Sequence, residues 1–277
     1  MKYHVYGIGN ALVDKEFEVS DSFLAENGIE KELAVDQLQI PIVAVSQLGG
    51  KTFYACKVAD DETGDFYMKD LAEAGVKTKL DQIKGDGITG KCLVMVTDDA
   101  ERTMNTYLGI TSDFSVDDLH IEDLKNSEYL YIEGYLVTSD VSRNAAIEAR
   151  KIAKQNNVKT AFTFSDPAMV TLLQRRKDAI SVLQNLADKI VVTLGSKGAK
   201  IISKDKSVDI EASKVTAIDT NGAGDMFAGA FMYGLTQGMS DRDSGMLASE
   251  SAARTVATFG ARLEKEVLQG VLAKYID

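Results

Sequence analysis

Asp219-Thr220-Asn221-Gly222-Ala223-Gly224-Asp225 runs directly into the apolar stretch Met226-Phe227-Ala228-Gly229-Ala230. Asn221, Gly222, Ala223 and Gly224 stand where a helix is predicted to begin. Glycine tolerates unusual dihedrals and close approach, so this stretch can expose successive backbone N–H groups. At a helix N-terminus those groups have no intrahelical partner, and the dipole adds partial positive charge. The chemistry this offers is an anion hole for phosphate oxygens. Asp225, just inside the helix, is held ionised by the same field. A carboxylate beside a phosphate site does not bind the phosphate; it accepts a proton from a hydroxyl that attacks it. The segment thus supplies two requirements of phosphoryl transfer, stabilisation of the transferring group and orientation of the nucleophile. A plain turn followed by an acidic first helical turn explains the same residues equally well on physics alone.

Two other glycine-rich stretches fail their tests. Gly7-Ile8-Gly9-Asn10-Ala11-Leu12 begins like a dinucleotide fingerprint, but Leu12 stands at the third glycine position. The following Val13-Asp14-Lys15-Glu16 does not start a helix. Gly50-Lys51-Thr52 resembles the end of a P-loop, yet Val45 occupies the leading glycine position and a strand is predicted to follow.

The 277 residues carry 45% hydrophobic and 26% charged side chains, the mix of a globular protein with a sizeable core. The formal net charge of -11 argues against nucleic acid or an anionic membrane as partner. An anionic substrate must therefore be met by local positive potential. Cys56 and Cys92 lie in apolar runs and read as buried thiols. With His4 and His120 the only histidines, a His/Cys metal cluster is not expected. No stretch reaches the roughly 20 apolar residues of a membrane span, and the N-terminus has no long apolar region. A cytoplasmic protein is expected.

The elements that must position these residues alternate. Strands are predicted over residues 3–9, 52–59, 158–164 and 190–194, and helices over 61–74, 139–156, 222–235 and 241–259. Ser139 or Asp140 is expected to cap the second helix. This alternation predicts an α/β fold, a mainly parallel central sheet with helices on both faces. Residues 92–97 and 102–108 break the rhythm as a β-hairpin, and 17–19 form a candidate further strand. Together they predict a small β element that projects from the core. Ligands of such sheets bind beyond the carboxyl ends of the strands.

The 219–230 stretch resembles the C-terminal signature of the ribokinase-like carbohydrate and nucleoside kinases. Val58-Ala59-Asp60-Asp61-Glu62-Thr63-Gly64 is similar to that family's N-terminal half. Val192-Thr193-Leu194-Gly195-Ser196-Lys197-Gly198-Ala199 is similar to its nucleotide-side turn, and Gly260-Ala261-Arg262 to its closing segment. Arg102-Thr103-Met104-Asn105-Thr106-Tyr107-Leu108-Gly109 and Ile132-Glu133-Gly134-Tyr135-Leu136 resemble the adenosine-kinase-like branch. The resemblance implies a single ribokinase-like domain over 1–277, with a β lid from about 11–36 and 86–110. It implies ATP-dependent phosphorylation of a primary hydroxyl, the 5′-hydroxyl of a nucleoside, with Mg2+. Asp225 would be the general base, and Asn221, Gly222, Ala223 and Gly224 the anion hole. Asp14 matches the family's sugar-hydroxyl-binding Asp, since a carboxylate can accept two hydrogen bonds from a vicinal diol. Asn10, Arg102 and Tyr135 would also meet the substrate, Arg102 from the hairpin. Thr193, Gly195 and Gly198 would flank the nucleotide, and Asp166 is an auxiliary candidate for the metal network. The alternatives are a sugar kinase acting on ribose or fructose, and a binding protein of this fold without activity. Monomer and homodimer both stand open, because the hairpin edge can pair with a second copy.

Two family patterns are replaced. Asp36-Gln37-Leu38-Gln39-Ile40-Pro41 stands where the family carries Gly-Gly-x-x-x-Asn. No Asn-x-x-Glu lies between Asp166 and Leu194; Asn185 is followed at the third position by Asp188. Either loops are missing from this sequence or the chain is a shortened member with weakened activity.

Overall fold

The computed structural model describes residues 1–29, 39–79, 84–99, 102–164, 187–203 and 206–276, with Arg102 described through its backbone. In chain order the elements are β1 (Tyr3–Ile8), β2 (Leu12–Glu18), α1 (Asp21–Glu26), α2 (Ile40–Gln47), β3 (Thr52–Ala55) and α3 (Glu62–Glu73). There follow β4 (Gly90–Val96), β5 (Arg102–Tyr107), α4 (Ile121–Lys125), β6 (Ser127–Glu133), α5 (Asp140–Gln155) and β7 (Lys159–Thr163). The chain continues through β8 (Lys189–Thr193), β9 (Ala199–Ser203), β10 (Lys206–Ile210), α6 (Ala223–Thr236), α7 (Asp241–Val256) and α8 (Lys265–Leu272).

The central sheet has the order β3-β1-β6-β7, and all its pairings are parallel. Side chains alternate across it with the period of two that pleating imposes. Val5, Tyr54 and Tyr131 belong to one apolar core with residues of α2, α3, α6, α7 and α8. Tyr6, Ile8, Phe53, Leu130 and Ile132 belong to the other, with Leu124 of α4 and Ala145, Ala149 and Ala153 of α5. Those alanines recur every four residues, so one face of α5 lies close against the sheet. Each fully buried aliphatic side chain contributes roughly 1.5–3 kcal/mol. The expected mainly parallel sheet with helices on both faces is the fold observed, but its strand β6 is not among the predicted strands, and the predicted strand at 190–194 is β8 of a separate antiparallel sheet.

Two smaller sheets complete the described structure. β10-β9-β8 is antiparallel and packs on α7, where a Cβ at Gly245 would come within 2.7 Å of Ile210. In β2-β4-β5 the hairpin β4–β5 is antiparallel, and β2 joins β4 in parallel. The hairpin lies where the sequence put it. β2 is longer than the predicted strand over 17–19, because it pairs with β4 through seven positions from Leu12↔Gly90 to Glu18↔Val96. β3 is shorter than the predicted strand over 52–59, because its ladder with β1 stops at Ile8↔Ala55.

The helix ends follow local chemistry. Asp61 caps α3, its carboxylate accepting from the Gly64 N–H at 2.7 Å. Ser139 occupies the N-cap of α5 without a side-chain capping bond. Gln39 precedes α2, and Pro41 sits in that helix's first turn, where its missing N–H does no harm. A Cβ at Gly229 of α6 would lie 2.5 Å from the Pro41 carbonyl oxygen, so glycine there lets α2 and α6 pack closely.

Candidate active site

The carboxyl ends of β1 and β6 converge on one buried acid. Glu133 ends β6 and is fully buried. Its Oε1 accepts from the Tyr54 hydroxyl at 2.8 Å, and its Oε2 accepts from the Asn10 backbone N–H at 3.1 Å. Burial pushes its carboxyl well above the ordinary range, and the nearby negative charge of Asp225 pushes it further. This packing explains the early glycines. A Cβ at Gly9 would lie 1.6 Å from Glu133 Oε2, and one at Gly7 would lie 2.7 Å from Ile42. The pair makes room for side chains, not for a pyrophosphate.

Asp225 lies in the first turn of α6 and is only 7% exposed. The turn before it is built around Gly222, the N-cap, with φ 69° in the left-handed region. A Cβ there would meet the Ala261 carbonyl oxygen at 2.4 Å, so both dihedral and space demand glycine. Gly224 is different: a Cβ there would meet nothing within 4 Å. The N–H groups of Gly222 and Gly224 make no hydrogen bond among the described residues. Open space beside Gly224, at the start of a 14-residue helix, fits an anion.

One expected donor is corrected. The Asn221 N–H donates to Asp219 Oδ1 at 2.8 Å, so it is directed into the protein and not toward a phosphate. Asp219 Oδ2 accepts from the Gly260 N–H at 2.9 Å. This fully buried carboxylate therefore clamps the glycine turn to the closing segment 260–262. Charge-assisted bonds of this kind contribute about 1.5–3 kcal/mol each. The side chain of Asn221 turns the other way. Its Nδ2 donates to Glu16 Oε1, with Asp14 Oδ2 at 3.5 Å. Asp14 and the glycine turn, 207 residues apart, thus meet.

Arg262 of the closing segment grips Asp70 of α3 through both guanidinium nitrogens, at 2.8 and 2.6 Å. Gln39 completes this corner, its amide oxygen accepting from Arg262 Nη2 at 3.0 Å and its nitrogen donating to the Tyr67 hydroxyl at 2.7 Å. Gln39 is thus a buried glutamine in a structural role.

Tyr135 is buried in the turn that follows β6. Thr193, Gly195 and Gly198 occupy the β8–β9 connection, closed by the Leu194 N–H donating to the Gly198 carbonyl at 2.7 Å. Gly195 and Gly198 have φ 57° and 95°, and a Cβ at Gly198 would lie 1.9 Å from the Ile210 carbonyl oxygen. Arg102 opens β5 opposite Val96. Asp166 lies outside the described residues. Asn10, Asp14, Tyr135 and residues 221–225 gather around the ends of β1 and β6, whereas Thr193, Gly195 and Gly198 sit on the separate antiparallel sheet. Among the described residues no group of three or more His, Cys, Asp or Glu could hold a metal ion. Sequence reasoning missed Glu16, Glu133 and Asp219 as site residues. Only Asp219 carried a local signal, since it opens the glycine motif.

Residues 42–180 and 168–267 match the family described as pfkB family carbohydrate kinase. The chain belongs to the pfkB family. This pfkB kinase is similar to the adenosine kinase of Sinorhizobium meliloti, with 28% identity and a TM-score of 0.91 over 100% of both chains. It is similar to the probable sugar kinase protein of Rhizobium etli, with 26% identity and a TM-score of 0.89 over 99% of both chains. The ribokinase of Mus musculus is 26% identical over 223 residues, covering 69% of this chain and 68% of that one. The pfkB kinase is accordingly an ATP-dependent phosphotransferase of the sugar and nucleoside kinase type.

Proposed function

We propose that this kinase transfers the γ-phosphoryl group of ATP to the 5′-hydroxyl of an adenosine-like nucleoside. The observation that carries the substrate class is the chemistry of one face of the β2-β4-β5 sheet. Asp14 pairs with Cys92 and Glu16 with Val94, while Met104 and Thr106 of β5 lie opposite Val94 and Cys92. Neighbours in register share a face. Carboxylates on β2 therefore stand beside the apolar cluster of Cys92, Val94, Val96 and Met104. A nucleoside needs both halves, an acceptor for its ribose diol and an apolar wall for its base. The likeness to an adenosine kinase along both whole chains supports the same assignment.

Asp225 accepts the proton of the attacking hydroxyl, which commonly contributes about 10²–10⁴-fold to such reactions. The amides of Gly222 and Gly224, with the start of α6, steady the charge on the transferring group. Asp14 receives the diol, Asn10 and Tyr135 line the sugar side, and Arg102 reaches phosphate from the hairpin. Thr193, Gly195 and Gly198 flank the nucleotide. A bound Mg2+ would neutralise phosphate charge, held largely by the phosphates and water, as that ion's reluctance to dehydrate favours. The β2-β4-β5 sheet acts as the lid of a single domain and excludes water when closed.

A sugar kinase is the second reading, favoured by the likeness to a ribokinase and to a probable sugar kinase. ADP release in the presence of ATP and Mg2+, measured across adenosine, other nucleosides, ribose and fructose, separates the two. Adenosine is expected to support release at the lowest concentration. Ribose or fructose outperforming every nucleoside would refute the assignment.

A further inference from the structure

Asp14 and Glu16 are two residues apart on β2, so their carboxylates share a face of the strand. That face meets the phosphate turn at Asn221, which is fully buried. Asn221 Nδ2 donates to Glu16 at short range, while Asp14 at 3.5 Å stands at the outer limit of a hydrogen bond. Glu16 also abuts the closing segment. A Cβ built on Gly260 would lie 3.4 Å from Glu16 Oε2. Asp219 holds the backbones of Gly260 and Asn221 together from behind.

We propose that Glu16 is a positioning residue that latches the small sheet to the phosphate turn and keeps the Asn221 amide off Asp14. The inference rests on the nucleoside-kinase reading, in which Asp14 receives the substrate diol. A buried amide finds an acceptor wherever one is in reach. With Glu16 gone, the neighbouring acceptor is Asp14. Asn221 would then draw the diol-binding carboxylate onto itself and compete with the substrate. What the latch requires at position 16 is an acceptor oxygen, so glutamine should serve where alanine fails.

The test compares wild type, Glu16→Ala, Glu16→Gln, Glu16→Ala/Asn221→Ala and Asp225→Asn. Adenosine affinity is read by calorimetry, and kcat and KM by ADP release. Glu16→Ala is expected to raise adenosine Kd and KM about tenfold or more, since the freed amide competes for Asp14 with about the strength of one charge-assisted hydrogen bond. KM for ATP should move less. Glu16→Gln should recover most of the loss. Removing the competing amide with Asn221→Ala should restore part of the adenosine affinity lost in Glu16→Ala, which a purely structural role would not produce. Should Glu16→Ala fold poorly by its melting temperature, Glu16→Met replaces it, keeping length without an acceptor. Adenosine Kd within twofold of wild type in the acceptor-less variant overturns the latch, and so does a Glu16→Gln no better than alanine. A wild type that neither binds nor phosphorylates adenosine overturns the nucleoside reading instead, and the same comparison with ribose then decides the latch.

Discussion

Glu133 shows what burial does to a single residue. Its pKa is pushed well above the ordinary value of 4.5, mainly because the charged form would be stripped of water. The folded-state pKa is raised, so this group's contribution to stability is fully present below about 4.5, where both states are protonated. It is lost as pH rises, because the unfolded chain ionises first. Glutamine can keep the Asn10 contact by accepting through its amide oxygen, and can meet the Tyr54 oxygen by donating once that hydroxyl turns to the Asn10 carbonyl, 3.5 Å away. Glu133→Gln should therefore match wild type in melting temperature near pH 4.5 and gain on it progressively toward pH 8. A gap that stays constant with pH would contradict a buried neutral acid. None of this was legible in the sequence, where Glu133 is one acid in Ile132-Glu133-Gly134. Its partners, Tyr54 and Asn10, lie 79 and 123 residues away. Asp225 was legible because its setting is local, a carboxylate at the end of a glycine turn. Asp219 was legible only as the residue that opens the glycine motif, and Glu16 not at all, since a carboxylate's role depends on the amides it meets after folding.

The entry to α6 separates two glycines that look alike in the sequence. Gly222 is required by its left-handed backbone and by the Ala261 carbonyl oxygen, which would stand 2.4 Å from any Cβ there. Gly224 is helical and faces open space. Alanine is the better helix former by about 0.5–1 kcal/mol, so Gly224→Ala should hold or raise the melting temperature. The same methyl would enter the space where the phosphoryl group is proposed to sit, so turnover should fall and KM for ATP rise. Gly222→Ala should lower stability, by about 1–3 kcal/mol or more, together with activity. Thermal melts and ATP kinetics on the two variants check this; a Gly224→Ala enzyme with wild-type kinetics would remove Gly224 from the phosphate site. The strands β6, β9 and β10 and the helices α1, α4 and α8 were not predicted; the long α3, α5, α6 and α7 were readable because each carries its own period. The short β3 and the long β2 were not, since strand length is set by the partner, β1 in one case and β4 in the other.

Across the whole molecule, two apolar cores hold four parallel strands so that the ends of β1 and β6 stay fixed. A chain of net charge -11 gathers Asp14, Glu16, Glu133, Asp219 and Asp225 around that edge. Their charge is divided by use: burial drives Glu133 toward its neutral form, Asp219 is satisfied by two backbone amides, and Glu16 serves the Asn221 amide. The open amides of Gly222 and Gly224 then supply local positive potential for an anion, which the overall field does not. The sequence could signal the glycine turn and its acid, but not how five acids share one edge. The central claim is that Asp225 is the base of the transfer. It is tested most directly by Asp225→Asn, with ADP release and adenosine binding measured on the same preparation. If Asp225 is the base, kcat falls about 10²–10⁴-fold in this variant with adenosine affinity little changed. Near-full turnover in Asp225→Asn would contradict it.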